Sequence, residues 1–218
     1  MLTIKFQNIV WPDPSVGERL EKGIEAGQVP NLLLYGPPGT GKTTICRAIA
    51  DRLGVDSVNL YELNGGMNNT VGDLGDLDAK LNNNFSFITE GSNLRLVIYD
   101  EIDVLSTEAI KRLKAYMDQH QASVRWLFTT NNPEKLEKID AAFVNRCYKV
   151  PIDFARDGLA QSQYLDLLEN AGFGSMNVKT AKELGWSIRS LVNMGGLVPN
   201  TPNTPEKRRK KGAFLVDK

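Results

Sequence analysis

The sequence predicts an α/β fold, a parallel-sheet domain followed by a small all-α domain. Three observations carry that prediction. Apolar runs such as NLLLY, LRLVIYD and VRWLFTT are continuous rather than alternating, as strands covered by helices on both faces should be. Helix-length segments lie between those runs. After Pro151 the strand-like runs stop and only helical patterns follow.

Taken in order, residues 1–30 mix a short apolar start, the turn-like WPDP, and a helical stretch, VGERLEKGIEAG. Asn31 to Tyr35 reads as the first buried strand, Gly36 to Thr43 as a loop and Thr44 to Leu53 as a helix. The segment VDSVNLYELN contains the next strand, and a polar, Gly/Asn-rich stretch with a weakly helical centre runs from Gly65 to Asn84. Leu94 to Glu101 is a second buried strand ending in two acids. A helix from Thr107 to Gln119 precedes a third buried strand, Val124 to Asn132. Phe143 to Ile152 crosses a turn into a short strand. Helices then follow at Gly158–Asn170, Asn177–Leu184 and Ile188–Met194. The expected division is 1–151, 152–197 and a disordered basic tail, 198–218, in which PNTPNTPEKRRKKG has too little apolar content to pack.

Composition narrows the classes of function. With 41% hydrophobic and 24% charged residues the chain can bury a core. Lys plus Arg and Asp plus Glu each total 26, so whole-molecule attraction to nucleic acid is not indicated. The run KRRKK (Lys207 to Lys211) concentrates basic charge in the tail, either as a solubilising end or as a non-specific phosphate contact that weakens steeply with salt. Cys46 and Cys147 show no metal-ligand spacing, which argues against a zinc site or a disulfide framework and fits a reducing compartment. No stretch matches a signal peptide or a membrane span, so a cytoplasmic protein is expected. His120, the one histidine, suggests no role, and Trp11, Trp126 and Trp186 read as packing residues.

The chemistry starts at Gly36-Pro37-Pro38-Gly39-Thr40-Gly41-Lys42-Thr43-Thr44. It matches G-x-x-x-x-G-K-[ST] in full, between a strand and a helix. Glycines let backbone N–H groups turn onto phosphate oxygens, and the helix N-terminus adds to that attraction. Lys42 would reach the β/γ-phosphates and the Thr43 hydroxyl would ligate Mg2+. Asp100, ending a neighbouring strand, is placed beside that metal, and Glu101 is placed to take a proton from an attacking water. An Asp-Glu pair after a strand also caps helices, but together with the loop it favours hydrolysis over transfer to a hydroxyl. Asn131 ends the third strand, where ligands meet open α/β sheets; the residues alone leave it either a ligand contact or part of an Asn-Asn-Pro turn.

The order GPPGTGKTT, LRLVIYDEID, WLFTTNN, NRC, SIRSLVN resembles the AAA+ ATPases. More narrowly it is similar to the small ATPase subunits of sliding-clamp loaders, including those of tailed bacteriophages, over about residues 8 to 196. The resemblance implies a P-loop NTPase sheet domain with an all-α lid, binding ATP and Mg2+ between them. It makes Asn131 the sensor that contacts the γ-phosphate and the catalytic water. It makes Arg146 an arginine finger acting in a neighbouring subunit, an effect of about 10³ to 10⁵ in rate. Arg189 becomes the lid arginine that reports the nucleotide. Lys111, Arg112 and Lys114 become contacts to DNA backbone phosphates; the residues themselves equally fit a solvated helix face in which Asp118 pairs with Lys114 at i+4.

Three departures stand out. Asn145 replaces the family's Ser before Arg146, and Trp186-Ser187 replaces Gly-Asp ahead of the lid arginine. The sequence also lacks the family's helical collar, so assembly is expected to rest on the ATPase modules or on another subunit. The implied function is a DNA-associated ATPase, foremost in loading a sliding clamp during replication, working with other AAA+ subunits in a homo- or hetero-oligomer and with no membrane. The location is the host cytoplasm if the chain is virus-encoded. Alternatives are a helicase loader, a branch-migration motor, or an ATP-dependent binding switch that does not hydrolyse. A small-molecule kinase is disfavoured by Glu101 and by the lack of an acceptor pocket.

Overall fold

A computed structural model describes residues 5–82, 94–155, 158–170, 178–187 and 190. The tail, Arg189 and most of the expected third lid helix lie outside the described residues. Among the described residues five strands form one sheet: β1 (Leu32–Tyr35), β2 (Leu60–Asn64), β3 (Arg95–Asp100), β4 (Val124–Thr130) and β5 (Tyr148–Pro151). Their order is β2-β3-β4-β1-β5, and every pairing is parallel. The helices are α1 (Pro14–Glu25), α2 (Lys42–Arg52), α3 (Val71–Asn82), α4 (Thr107–Gln119), α5 (Pro133–Val144), α6 (Gly158–Asn170) and α7 (Val178–Glu183).

The continuous apolar runs become strands buried on both faces. Successive side chains of a strand alternate between faces, so each run feeds two cores. Leu32 and Leu34 of β1, Leu96 and Ile98 of β3, and Leu127 of β4 join α1 and α2 in one core. Leu33, Val97, Tyr99, Trp126 and Phe128 join α3, α4 and α5 in the other. The first core continues into the helical C-terminal part. Phe154 meets the ring of Tyr164 at 4.5 Å, Tyr164 meets Trp186 at 6.0 Å, and the Tyr164 hydroxyl donates to the Trp186 carbonyl at 3.1 Å. Trp11, Trp126 and Trp186 are all buried, as expected of packing residues.

Three local features differ from the sequence expectation. Asn-Asn-Pro is the start of α5 rather than an isolated turn: Asn132 accepts the Lys135 N–H at 3.0 Å, and Pro133 occupies the first turn. Asp140 interrupts that helix with non-helical φ −157° and ψ 92°, which breaks the apolar period. His120 has a structural role at the end of α4, where it is buried with Nε2 2.9 Å from Asp78 Oδ1 on α3.

Candidate active site

The strand order carries the carboxyl ends of β1, β3 and β4 to one edge, and the sequence motifs end there. A cavity of about 380 Å³ opens at that edge, lined on one side by Gly39, Lys42, Thr43 and Thr44, and on the other by Asp100, Glu101, Thr129 and Asn131. α2 begins at Lys42 with Gly41 as its N-cap, φ 89°, and no side chain caps it. The first N–H groups of α2 are thereby left to an external acceptor, the arrangement that binds phosphate.

Lys42 is 7% exposed. Its Nζ donates to the Gly36 carbonyl at 2.9 Å, the Pro37 carbonyl at 2.8 Å and Asn131 Oδ1 at 2.8 Å. The Thr40 hydroxyl donates to the Pro37 carbonyl at 3.0 Å and stiffens the loop from within. The Thr43 hydroxyl donates to Asp100 Oδ1 at 2.8 Å, so the P-loop threonine and the β3 acid share one point. Hydroxyl and carboxylate oxygens are hard donors suited to magnesium, and together with the uncapped helix start they fit a magnesium–triphosphate ligand. Glu101, exposed at the cavity rim, adopts φ 55° and ψ 48°, a left-handed conformation rare outside glycine.

Sequence reasoning missed two residues of this site. Thr129 is 1% exposed, and its hydroxyl donates to Asp100 Oδ1 while accepting the Glu101 N–H at 3.0 Å. Arg47 lines the cavity one turn of α2 beyond Thr43 and makes a two-pronged bond to Glu62 of β2, the shortest arm 2.6 Å. A polar residue at a fully buried β4 position was the available signal for Thr129; Arg47 had none.

Other candidates stand elsewhere. Arg146, just past α5, reaches α4: its Nε and Nη2 donate to the Asp118 oxygens at 2.7 and 2.8 Å, and Nη1 donates to the Ala142 carbonyl at 2.7 Å. That contact holds the Asp118 carboxyl below the usual carboxylate range and raises the Arg146 guanidinium further. Lys114 does not take Asp118 as its i+4 partner. It pairs with Asp140 at the α5 break, because α4 and α5 pack together and Asp118 is engaged by Arg146. Lys111 and Arg112 are exposed on α4. The helical part touches the loop directly: a Cβ on Gly39 (φ 80°) would lie 2.1 Å from Ser187 Oγ.

The family model for the "ATPase family associated with various cellular activities (AAA)" matches residues 32–152. Replication factor C subunit 4 of Homo sapiens is 28% identical over 173 residues, covering 75% of this chain and 45% of that protein. The replication factor C small subunit of Staphylothermus marinus is 29% identical over 122 residues, 54% of this chain and 36% of that protein. The chain thus spans less than half the length of either relative. Among solved structures, the Thermotoga maritima RuvB Holliday junction branch migration motor superimposes with a TM-score of 0.54 at 17% identity, covering 84% of this chain and 60% of that one. That likeness concerns the fold. No helix among the described residues is long and apolar enough to cross a membrane.

Proposed function

The chain belongs to the AAA family of ATPases, and from that premise we propose that it couples ATP binding and hydrolysis to assembly on DNA, in the manner of a sliding-clamp loader subunit. The observation that carries the reading is the meeting of the three strand-end motifs: Lys42 on Asn131 and Thr43 on Asp100, each at 2.8 Å. The names of the replication factor C relatives supply the clamp-loader direction.

In this reading the loop from Gly36 to Thr44 wraps the phosphates and Lys42 neutralises the β/γ oxygens. Thr43 and Asp100 hold magnesium, which when bound offsets charge that builds on the phosphates. Glu101, turned toward the cavity by its left-handed backbone, accepts the proton of the attacking water. Asn131 positions that water and holds Lys42 on the γ side. Arg189 belongs to a lid of residues 152–197, whose Ser187 already lies against Gly39. Arg146, exposed just before the amino end of β5 and outside the lining of the cavity, serves the neighbouring subunit, so the ATPase modules themselves form the assembly contacts. Lys111 and Arg112 face DNA phosphates, with Lys114 behind them.

Turnover per protomer, measured with and without primer–template DNA at low salt, tests the proposal. DNA is expected to stimulate turnover, and added salt to remove the stimulation. Glu101→Gln should lower turnover by about 10² to 10⁴ while leaving nucleotide bound. Turnover indifferent to DNA sinks a self-sufficient loader, and a silent Glu101→Gln leaves a binding switch.

A further inference from the structure

We infer that Thr129 is the positioning residue that sets both acids of the site, a step that rests on the proposed ATPase reading. β3 and β4 run parallel with Tyr99 opposite Phe128, so the next step along both strands brings Thr129 beside Asp100. There one hydroxyl spans two consecutive residues. Its proton goes to Asp100 Oδ1, and its oxygen accepts the Glu101 N–H at 3.0 Å. Asp100 Oδ1 receives the Thr43 hydroxyl at 2.8 Å as well. The result is a directed chain from Glu101 N–H through Thr129 to Asp100, in which each bond polarises the next.

Two arguments give the hydroxyl a purpose beyond packing. A threonine at 1% exposure inside an apolar strand is costly unless its oxygen is bonded, and a valine of nearly the same shape carries no such cost. This oxygen is bonded on both sides, and both partners are proposed site acids. Glu101 also stands at φ 55°, where a side chain bearing a Cβ is disfavoured, so something must hold it there. The Thr129 oxygen supplies a partner for its N–H in that turn. The adjacent Thr130 repeats the device one step on: its hydroxyl donates to Asp103 Oδ1 at 2.9 Å and secures the far end of the same acidic turn. Thr129 is also a donor to Asp100 outside the proposed magnesium set. Its hold on the carboxylate is therefore independent of whether the Thr43 hydroxyl faces Asp100 or a metal.

The test pairs Thr129→Val, which keeps shape and removes the hydroxyl, with Thr129→Ser, which keeps the hydroxyl. Two readouts are followed: the magnesium needed for half-maximal binding of a fluorescent ATP analogue, and kcat against KM for ATP. Thr129→Val should raise the magnesium requirement and lower kcat by about ten- to a hundredfold with KM within about twofold, because the acids lose a buried bond that loop contacts to phosphate do not supply. Thr129→Ser should stay within about threefold of the unaltered chain on both readouts. A valine variant that binds magnesium and turns over normally overturns the proposal, and so does a serine variant as impaired as the valine one. Failure of the unaltered chain to bind the analogue with magnesium refutes the ATPase reading itself, a different result. Should the valine variant not fold, amide exchange in the unaltered chain decides: a protected Glu101 N–H is expected, and rapid exchange there overturns the assignment.

Discussion

Lys42 and Arg146 are both cations proposed to meet a triphosphate, yet the chain holds them in opposite ways. Lys42 is buried and gives its ammonium protons to two loop carbonyls and Asn131. Arg146 lies in the open, paired with an Asp118 side chain that is 57% exposed. Burial and several acceptors over-determine the first position, whereas an exposed ion pair is weak, screened by salt and easily exchanged. On the proposed reading the contrast has a reason: a residue that serves a ligand of its own chain is locked in advance, and one offered to another subunit is held by something it can release.

The largest expected effect breaks that contrast outright. Arg146→Ala should lower turnover of the assembled protein by about 10³ to 10⁵, with ATP binding per protomer unchanged. Mixing it with Glu101→Gln, itself strongly impaired, should restore part of the activity, since some junctions then join an intact Glu101 to an intact Arg146. Turnover measured across mixing ratios checks this. No recovery at any ratio would place Arg146 outside a neighbour's site and remove half of the comparison.

The sequence made the buried half more legible than the exposed half, for physical reasons. The loop and the β3 acids each occupy a contiguous stretch with a strand before it, so their neighbourhood in space follows from parallel-sheet topology. Asn131 also ends a strand, but only the family resemblance separates a ligand contact from a turn there. Thr129 reads only in part: a threonine inside an apolar strand marks a polar group in the core, but its partners come from the register of β3 against β4, which no local pattern encodes. The alternative that pairs Lys114 with Asp118 at i+4 fails for a related reason. The i+4 rule considers one helix, while Asp140 arrives from α5 across the helix–helix contact. α5 itself was hidden by its break at Asp140, where the carboxylate accepts the Phe143 N–H at 3.0 Å and restarts the helix. His120 carries no signal in the sequence because its partner, Asp78, lies on another helix distant in the chain. The two-core sheet was plain because continuous apolar strands have few other folded solutions.

A smaller effect sharpens the account of the locked half. Gly39 stands at φ 80° with Ser187 directly above it, so alanine there meets both an unfavourable backbone and a collision 2.1 Å from Ser187 Oγ. Gly39→Ala should weaken nucleotide binding roughly tenfold, measured by titration with a fluorescent ATP analogue. Adding Ser187→Gly removes the collision and leaves the backbone penalty, so the double variant should recover part of the loss. Full recovery would assign the whole effect to the contact with Ser187. None would assign it to the loop conformation alone.

The smallest effect tests the releasable half. On the proposed reading Arg146 cannot hold Asp118 with both prongs and also reach a neighbouring subunit, so Asp118 would compete with assembly. Asp118→Asn removes that competitor's charge, and ATP-dependent assembly should occur at about two- to fivefold lower protein concentration, read by sedimentation. The pH dependence has a definite sign. Arg146 depresses the Asp118 carboxyl in the folded chain, so the pair's contribution is present above the unfolded carboxylate value of about 3.9 and is lost only as pH falls through the lower, folded value. Between about pH 5 and 9 the carboxylate stays charged, and the gain from Asp118→Asn should be flat across that range. A higher assembly concentration in Asp118→Asn would mean that Asp118 orients Arg146 for its neighbour instead of withholding it, and the exposed pair would then belong with the locked residues of the crevice.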